Sequence, residues 1–138
     1  MNDINWNDFF ADYAAATMEG EPQDIARFYG PGFVAASPSG SYGALNDDSF
    51  LTWLKGIQQF NARTGMSHMR PVDTSEQAQV GPHHCLVLVR WGARFASLEN
   101  EVFFEISYLL HRSQDGPRII AYVSHEDQQT RMQEEGLL

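Results

Sequence analysis

Glu101-Val-Phe-Phe-Glu-Ile-Ser-Tyr-Leu-Leu-His-Arg112 decides the fold. Successive side chains of an extended chain point to opposite faces, so this stretch carries two rows. Val102, Phe104, Ile106, Tyr108 and Leu110 form one row, apolar apart from a single hydroxyl. Phe103, Glu105, Ser107, Leu109 and His111 form the other, which mixes apolar groups with a carboxyl, a hydroxyl and an imidazole. Neither row is polar enough to face water, so the strand belongs to a sheet covered on both sides. The mixed row has the composition of a ligand cavity, mostly apolar with a few polar groups.

The neighbouring stretches share the period of two. Strands are expected near residues 67–79, bent or bulged at Pro71, near 84–95, and near 118 to 124 or 126. Gly81-Pro82, residues 96–100 and residues 113–117 are the turns between them. Upstream of Gly65 the period changes to that of helices. Trp6, Phe9, Phe10, Tyr13, Ala14 and Thr17 make one helical stripe, capped by Asn2, Asp3 or Asn5 and closed at Gly20. Pro22 opens a second helix with Ile25, Phe28 and Tyr29 on its apolar side, stopped by Gly30-Pro-Gly32. Phe33 to Ala36 reads as a short strand, and Tyr42 begins another. Asn46-Asp-Asp48 caps a third helix with Phe50, Trp53, Leu54 and Ile57 buried. Residues 127–138 read as a polar tail or frayed helix. Helices followed by a strand meander predict an α+β fold, with three N-terminal helices packed on one face of a curved, mostly antiparallel sheet. A second copy is the natural cover for the other face, so a homodimer through the sheet is expected.

The 138 residues suit a single domain, 1–138. Nine basic residues against eighteen acidic give a net charge of −9, which opposes a polyanion and so argues against nucleic acid. Arg90, Arg94, Arg112 and Arg118 are the available material for a small basic stripe. Cys85 is the only cysteine and reads as a buried hydrophobe in Cys85-Leu-Val-Leu-Val89. No apolar run approaches the roughly 18 residues of a membrane span, and the N-terminus lacks the features of a signal peptide, so a cytoplasmic location without membrane contact is expected. His83 and His84 alternate in direction, and His125-Glu-Asp127 lacks zinc-site spacing; no metal and no cofactor is expected.

The element order resembles the nuclear transport factor 2-like superfamily, with its cystatin-like, cone-shaped α+β barrel, which includes ketosteroid isomerase, scytalone dehydratase and the SnoaL-like cyclases. The most specific stretch is Tyr13-Ala-Ala-Ala-Thr-Met-Glu-Gly20…Ile25…Phe28-Tyr29…Phe33-Val-Ala-Ala-Ser37-Pro38-Ser-Gly40, similar to the start of ketosteroid isomerase. The resemblance places Tyr13 at that family's oxyanion-donor tyrosine, Ser37 at its catalytic base and Ser107 at its acidic donor. Both acids are therefore replaced by serine, and a serine hydroxyl needs its own base to take a proton. His68 matches a histidine that SnoaL-like and dehydratase-like members place early on this strand.

Three readings follow. The first is a binder of a small apolar ligand in a cone-shaped cavity, lined by Phe28, Phe33, Ser37, Trp53, Trp91, Ser107 and Tyr122. The second is a cofactor-independent isomerase, dehydratase or cyclase in which Glu105 or His68 moves a proton and Tyr13 steadies an oxyanion. The third is a dimeric association module. Against each residue stands a packing role: a satisfied buried hydroxyl for Tyr13, an ion pair with Arg90 or Arg94 for Glu105, and a satisfied wall histidine for His68.

Overall fold

The computed structural model describes residues 4–138. The chain runs α1 (Trp6–Glu19), α2 (Pro22–Ala26), β1 (Tyr29–Ser37), β2 (Gly40–Leu45), α3 (Asp48–Arg63), β3 (Met66–Val80), β4 (His84–Phe95), β5 (Val102–Ser113), β6 (Gly116–Ser124) and α4 (Gln128–Glu134). The six strands form one curved sheet in the order β2-β1-β6-β5-β4-β3. All neighbours are antiparallel except β1 and β6, which run parallel. The α+β architecture is the expected one, with α4 as a fourth helix after the sheet.

Local chemistry accounts for the helix ends. The Asn5 side chain accepts from Asp8 N and caps α1; the other two cap candidates lie outside the described residues. Gly20 ends α1 with an extended backbone, where a Cβ would stand 2.7 Å from the Ala16 carbonyl oxygen. Pro22 occupies the first turn of α2, and Glu21 and Asp24 cap one another reciprocally. Asp47 caps α3 by accepting from Ser49 N and Phe50 N. Gly65, at φ +77°, turns the chain from α3 into β3.

Two local expectations are corrected. Helix α2 stops at Ala26, so Phe28 lies beyond it and Tyr29 begins β1. Gly30-Pro31-Gly32 does not end a helix; it belongs to β1, whose pairing with β6 shifts register between Tyr29 and Val34. Irregular pairing absorbs a proline and two glycines that a regular central strand would not. Strand β3 shifts register between Met66 and His68, between Pro71 and Asp73, and between Glu76 and Ala78, and such bulges bend a strand.

The core lies between the helices and one face of the sheet. Cys85, Val87, Val89, Trp91 and Ala93 of β4 are fully buried there, facing Leu110, Tyr108, Ile106, Phe104 and Val102 of β5. Phe10 of α1, also fully buried, packs edge-on to Trp91 at 6.0 Å and against Tyr108 at 4.6 Å between ring centroids. Phe50 of α3 meets Phe33 at 4.6 Å and Tyr29 at 5.1 Å. Trp6 is tied to β3 by its indole N–H, which donates to Glu76 Oε1 at 3.1 Å; Arg112 Nη2 donates to the same oxygen at 2.7 Å. Arg112 therefore joins an internal tie to Glu76, and the four arginines do not form one basic stripe. Among the described residues no helix packs on the opposite face of the sheet, which carries half-buried Leu86, Leu88 and Leu109.

Candidate functional site

A cavity of about 190 Å³ lies between α1, α3, α4 and the helix-covered face of the sheet. Tyr13 and Thr17 reach it from α1, Trp53, Leu54, Ile57 and Phe60 from α3, and Met66 and Met69 from β3. Phe104, Ile106 and Tyr108 of β5, with Tyr122 and Ser124 of β6, form its roof, and Gln128 of α4 closes one side. Trp53 lines the cavity and is 38% exposed, so it stands at the boundary with solvent. No Asp, Glu, His, Lys or Arg contributes to the described wall.

Four phenols supply much of its polarity, with Thr17, Asn61, Ser124 and Gln128 the other polar side chains of the wall. The Tyr13 and Tyr29 hydroxyls are 2.6 Å apart. Each phenol carries one proton; the mutual bond uses one of the two and leaves the other to donate. Trp91 Nε1 donates to the Tyr108 hydroxyl at 3.0 Å, which leaves the Tyr108 proton uncommitted among the described residues. Burial pushes the Tyr13 phenol up to about 12, with the bond to Tyr29 pulling partly the other way. Burial, reinforced by neighbouring phenols, holds Tyr29 and Tyr108 well above the ordinary tyrosine value, and Tyr122 is raised by the same causes. All four stay neutral hydrogen-bond donors across the physiological range. The site can donate to an acceptor on an apolar molecule, but its wall supplies no carboxylate or imidazole to accept a proton.

Of the residues singled out from sequence, Tyr13, Trp53 and Tyr122 meet at this cavity. The others do not. Trp91 is a fully buried core residue behind Tyr108, and Phe33 packs in the core against Tyr29 and Phe50. Phe28 sits between Phe9 and Tyr13 outside the cavity. Ser37 lies at the β1–β2 turn, its hydroxyl 2.9 Å from that of Ser39. Glu105 and Ser107 are on the other face of the sheet, because their neighbours Phe104, Ile106 and Tyr108 take the cavity side. There Glu105 stands opposite Arg90, with one oxygen 4.0 Å from His125 Nδ1, and the Ser107 hydroxyl is 2.8 Å from His125 Nε2. His68 is exposed opposite Arg94, because the register shift after Met66 turns Met66 and Met69 inward instead.

The mixed row of β5 is thus the outer row, and the apolar row with its single hydroxyl roofs the cavity. Sequence reasoning passed over Tyr29, Tyr108 and Gln128. The lone hydroxyl in the apolar row was the available signal for Tyr108. Among the described residues, no group of three or more His, Cys, Asp or Glu is placed to hold a metal ion, and no helix is long and apolar enough to cross a membrane.

The profile of the NTF2-like proteins called DUF6841 matches residues 3–127. The chain belongs to that NTF2-like family. No curated protein is detectably similar. Among solved structures, the chain is similar to a protein of unknown function with a cystatin-like fold from Nostoc punctiforme, at TM-score 0.69 and 8% identity over 93% of this chain and 96% of that one. It is similar also to a putative calcium/calmodulin-dependent protein kinase II association domain from Xanthomonas campestris, at 0.63 and 10% identity, covering 87% and 84%. A third is a hypothetical protein with a ketosteroid isomerase-like fold from Catenulispora acidiphila, solved in complex with trimethylamine, at 0.56 and 12% identity, covering 94% and 92%. These likenesses establish the NTF2-like fold of this family member.

Proposed function

We propose that this NTF2-like protein binds a small, uncharged, largely apolar molecule carrying a hydrogen-bond acceptor, with the acceptor seated at the Tyr13 and Tyr108 hydroxyls. The observation that carries the reading is the wall itself: spare phenolic protons beside an aromatic and aliphatic lining, with no charged side chain among the described residues. An unpaired charge entering such a wall would lose its hydration without compensation. Binding is favoured over proton transfer because Glu105 and His68 lie outside the cavity. In volume the cavity exceeds the roughly 150 Å³ apolar void that accepts a benzene ring, which suits a ligand of one substituted ring. The trimethylamine held by the Catenulispora relative is also small, and because aromatic rings can attract an ammonium group, tetramethylammonium is the competitor that the reading must exclude.

Trp53 fluorescence and thermal shift, with cyclohexanone and tetramethylammonium as competing probes, test the reading. Saturable cyclohexanone binding, lost in a cavity-filling Ile106→Trp variant that still folds, is the expected result. Preference for tetramethylammonium, or ketone binding that survives Ile106→Trp, would overturn it.

A second reading concerns the outer face. Val34 and Val123 there are 45% and 49% exposed, and with Leu86, Leu88 and Leu109 they form the kind of apolar surface that associates. The second copy expected from sequence would cover it, and the association domain among the structural relatives is in keeping with such a role. Light scattering of wild type against Leu88→Glu tests this: the charge should yield a monomer, and an unchanged mass would remove the sheet face as the interface.

A further inference from the structure

The cavity wall contains a polar atom that the protein leaves without a partner. Gln128 Nε2 is buried and makes no hydrogen bond among the described residues, and Gln128 is part of the wall. Two other polar wall groups have partners: the Ser124 hydroxyl donates to the Glu126 carbonyl at 2.7 Å, and Thr17 Oγ1 donates to the Tyr13 carbonyl at 2.9 Å. Buried amides almost always find an acceptor, and those that do not call for an explanation.

The segment carrying Gln128 is held firmly. Met132, 2% exposed, belongs to the main core. Arg131 donates to Glu126 at 2.7 Å and to Glu135 at 3.2 Å. Asp127 accepts from Thr130 N at 3.0 Å. These ties fix the backbone from which the carboxamide extends, while its Nε2 is held by no hydrogen bond among the described residues. An anchored backbone with an uncommitted donor at the wall is the arrangement expected of a ligand-recognising group rather than of a packing residue.

We infer that Gln128 is a second recognition point of the cavity, and that the ligand class is a neutral molecule with acceptor oxygens at both ends of an apolar body, such as a diketone, lactone or quinone. This rests on the reading of the cavity as a binding site. One acceptor takes the spare phenolic protons of the Tyr13–Tyr29 pair and of Tyr108, and the other accepts from Gln128 Nε2. A molecule with one acceptor satisfies only one of these points, and discrimination between the two kinds of ligand is Gln128's contribution.

The test pairs cyclohexane-1,4-dione with cyclohexanone, two rings of nearly equal size that differ in one acceptor. Wild type should bind the dione about fivefold more tightly, the size of one net neutral hydrogen bond. Gln128→Met, which keeps the side-chain length and removes the donor, should bring the ratio of the two affinities toward one. The same variant should melt no lower than wild type when empty, since it removes a buried donor that has no partner. The Gln128 side-chain amide resonances in a ¹⁵N spectrum of wild type should shift with the dione and not with the monoketone, a readout that does not depend on the variant folding. A ratio unchanged by Gln128→Met, or amide resonances indifferent to the dione, would overturn the inference while leaving the cavity reading intact. Failure of wild type to bind either ketone would overturn both.

Discussion

Raising the pH above 10 tests the buried phenols directly. Tyr13 ordinarily titrates near 10, and in the fold burial pushes it up to about 12. The native state thus holds the proton more tightly than the unfolded chain. Between those values the unfolded state has fewer bound protons, so stability falls as pH rises. The contribution is fully present below pH 10 and is lost through pH 12. Two units make about 3 kcal/mol from Tyr13 alone, and Tyr29, Tyr108 and Tyr122, raised in the same direction, add to the loss. At pH 11 an ordinary tyrosine is about 90% ionised, while native Tyr13 is about 10% ionised by the same arithmetic. Apart from the half-exposed Tyr42, absorbance at 295 nm should therefore show little phenolate at pH 11 until the protein unfolds, followed by a cooperative rise coincident with loss of circular dichroism. Urea titrations at pH 7 and pH 11 should differ by several kcal/mol. In Tyr13→Phe the difference should shrink by about 1 kcal/mol, since at pH 11 only half of the two-unit shift has been traversed. A smooth, non-cooperative phenolate titration centred near 10 in the folded protein would refute the reasoning, because it would put the hydroxyls in contact with water.

Other perturbations have equally direct outcomes. Phe10→Ala empties a fully buried site between Trp91 and Tyr108 and should cost about 3–5 kcal/mol in chemical denaturation. Glu76→Ala removes the oxygen shared by Trp6 and Arg112 and should cost about 1–3 kcal/mol, with a change in tryptophan emission even where the protein stays folded. Glu105→Gln lies on the far side of the sheet from the cavity, so cyclohexanone affinity should stay at the wild-type value; a severalfold loss would contradict the assignment of faces.

How much of this was legible depends on the kind of information involved. Element order came from period and punctuation, which are local properties: Pro22 opened α2, Gly65 closed α3, and alternation set β4, β5 and β6. The side of the sheet on which the helices would pack is not local. On β5 both rows are apolar, so composition does not separate core from outer face, and assigning the cavity to the mixed row inverted the site. A one-residue error in facing moves every side chain to the wrong side; this is how Ser107 and Glu105 were preferred to Ile106 and Tyr108. His68 was displaced by a bulge, which alternation cannot foresee. The parallel pairing of β1 with β6 joins segments from opposite ends of the chain, and Gln128 sat in a stretch whose polarity read as a tail.

That parallel pairing has a consequence for biogenesis. Val34 of β1 is paired with Ala121 of β6, so the hairpin of β1 and β2 leaves the ribosome long before its partner strand exists. Until β6 emerges, one side of that hairpin offers unsatisfied backbone groups to any other nascent strand. Closure must wait for β6, a pairing that spans a large sequence distance, and such long-range pairings slow folding. Truncation anywhere before β6 would thus leave not a smaller version of the same protein but an open ribbon prone to aggregation.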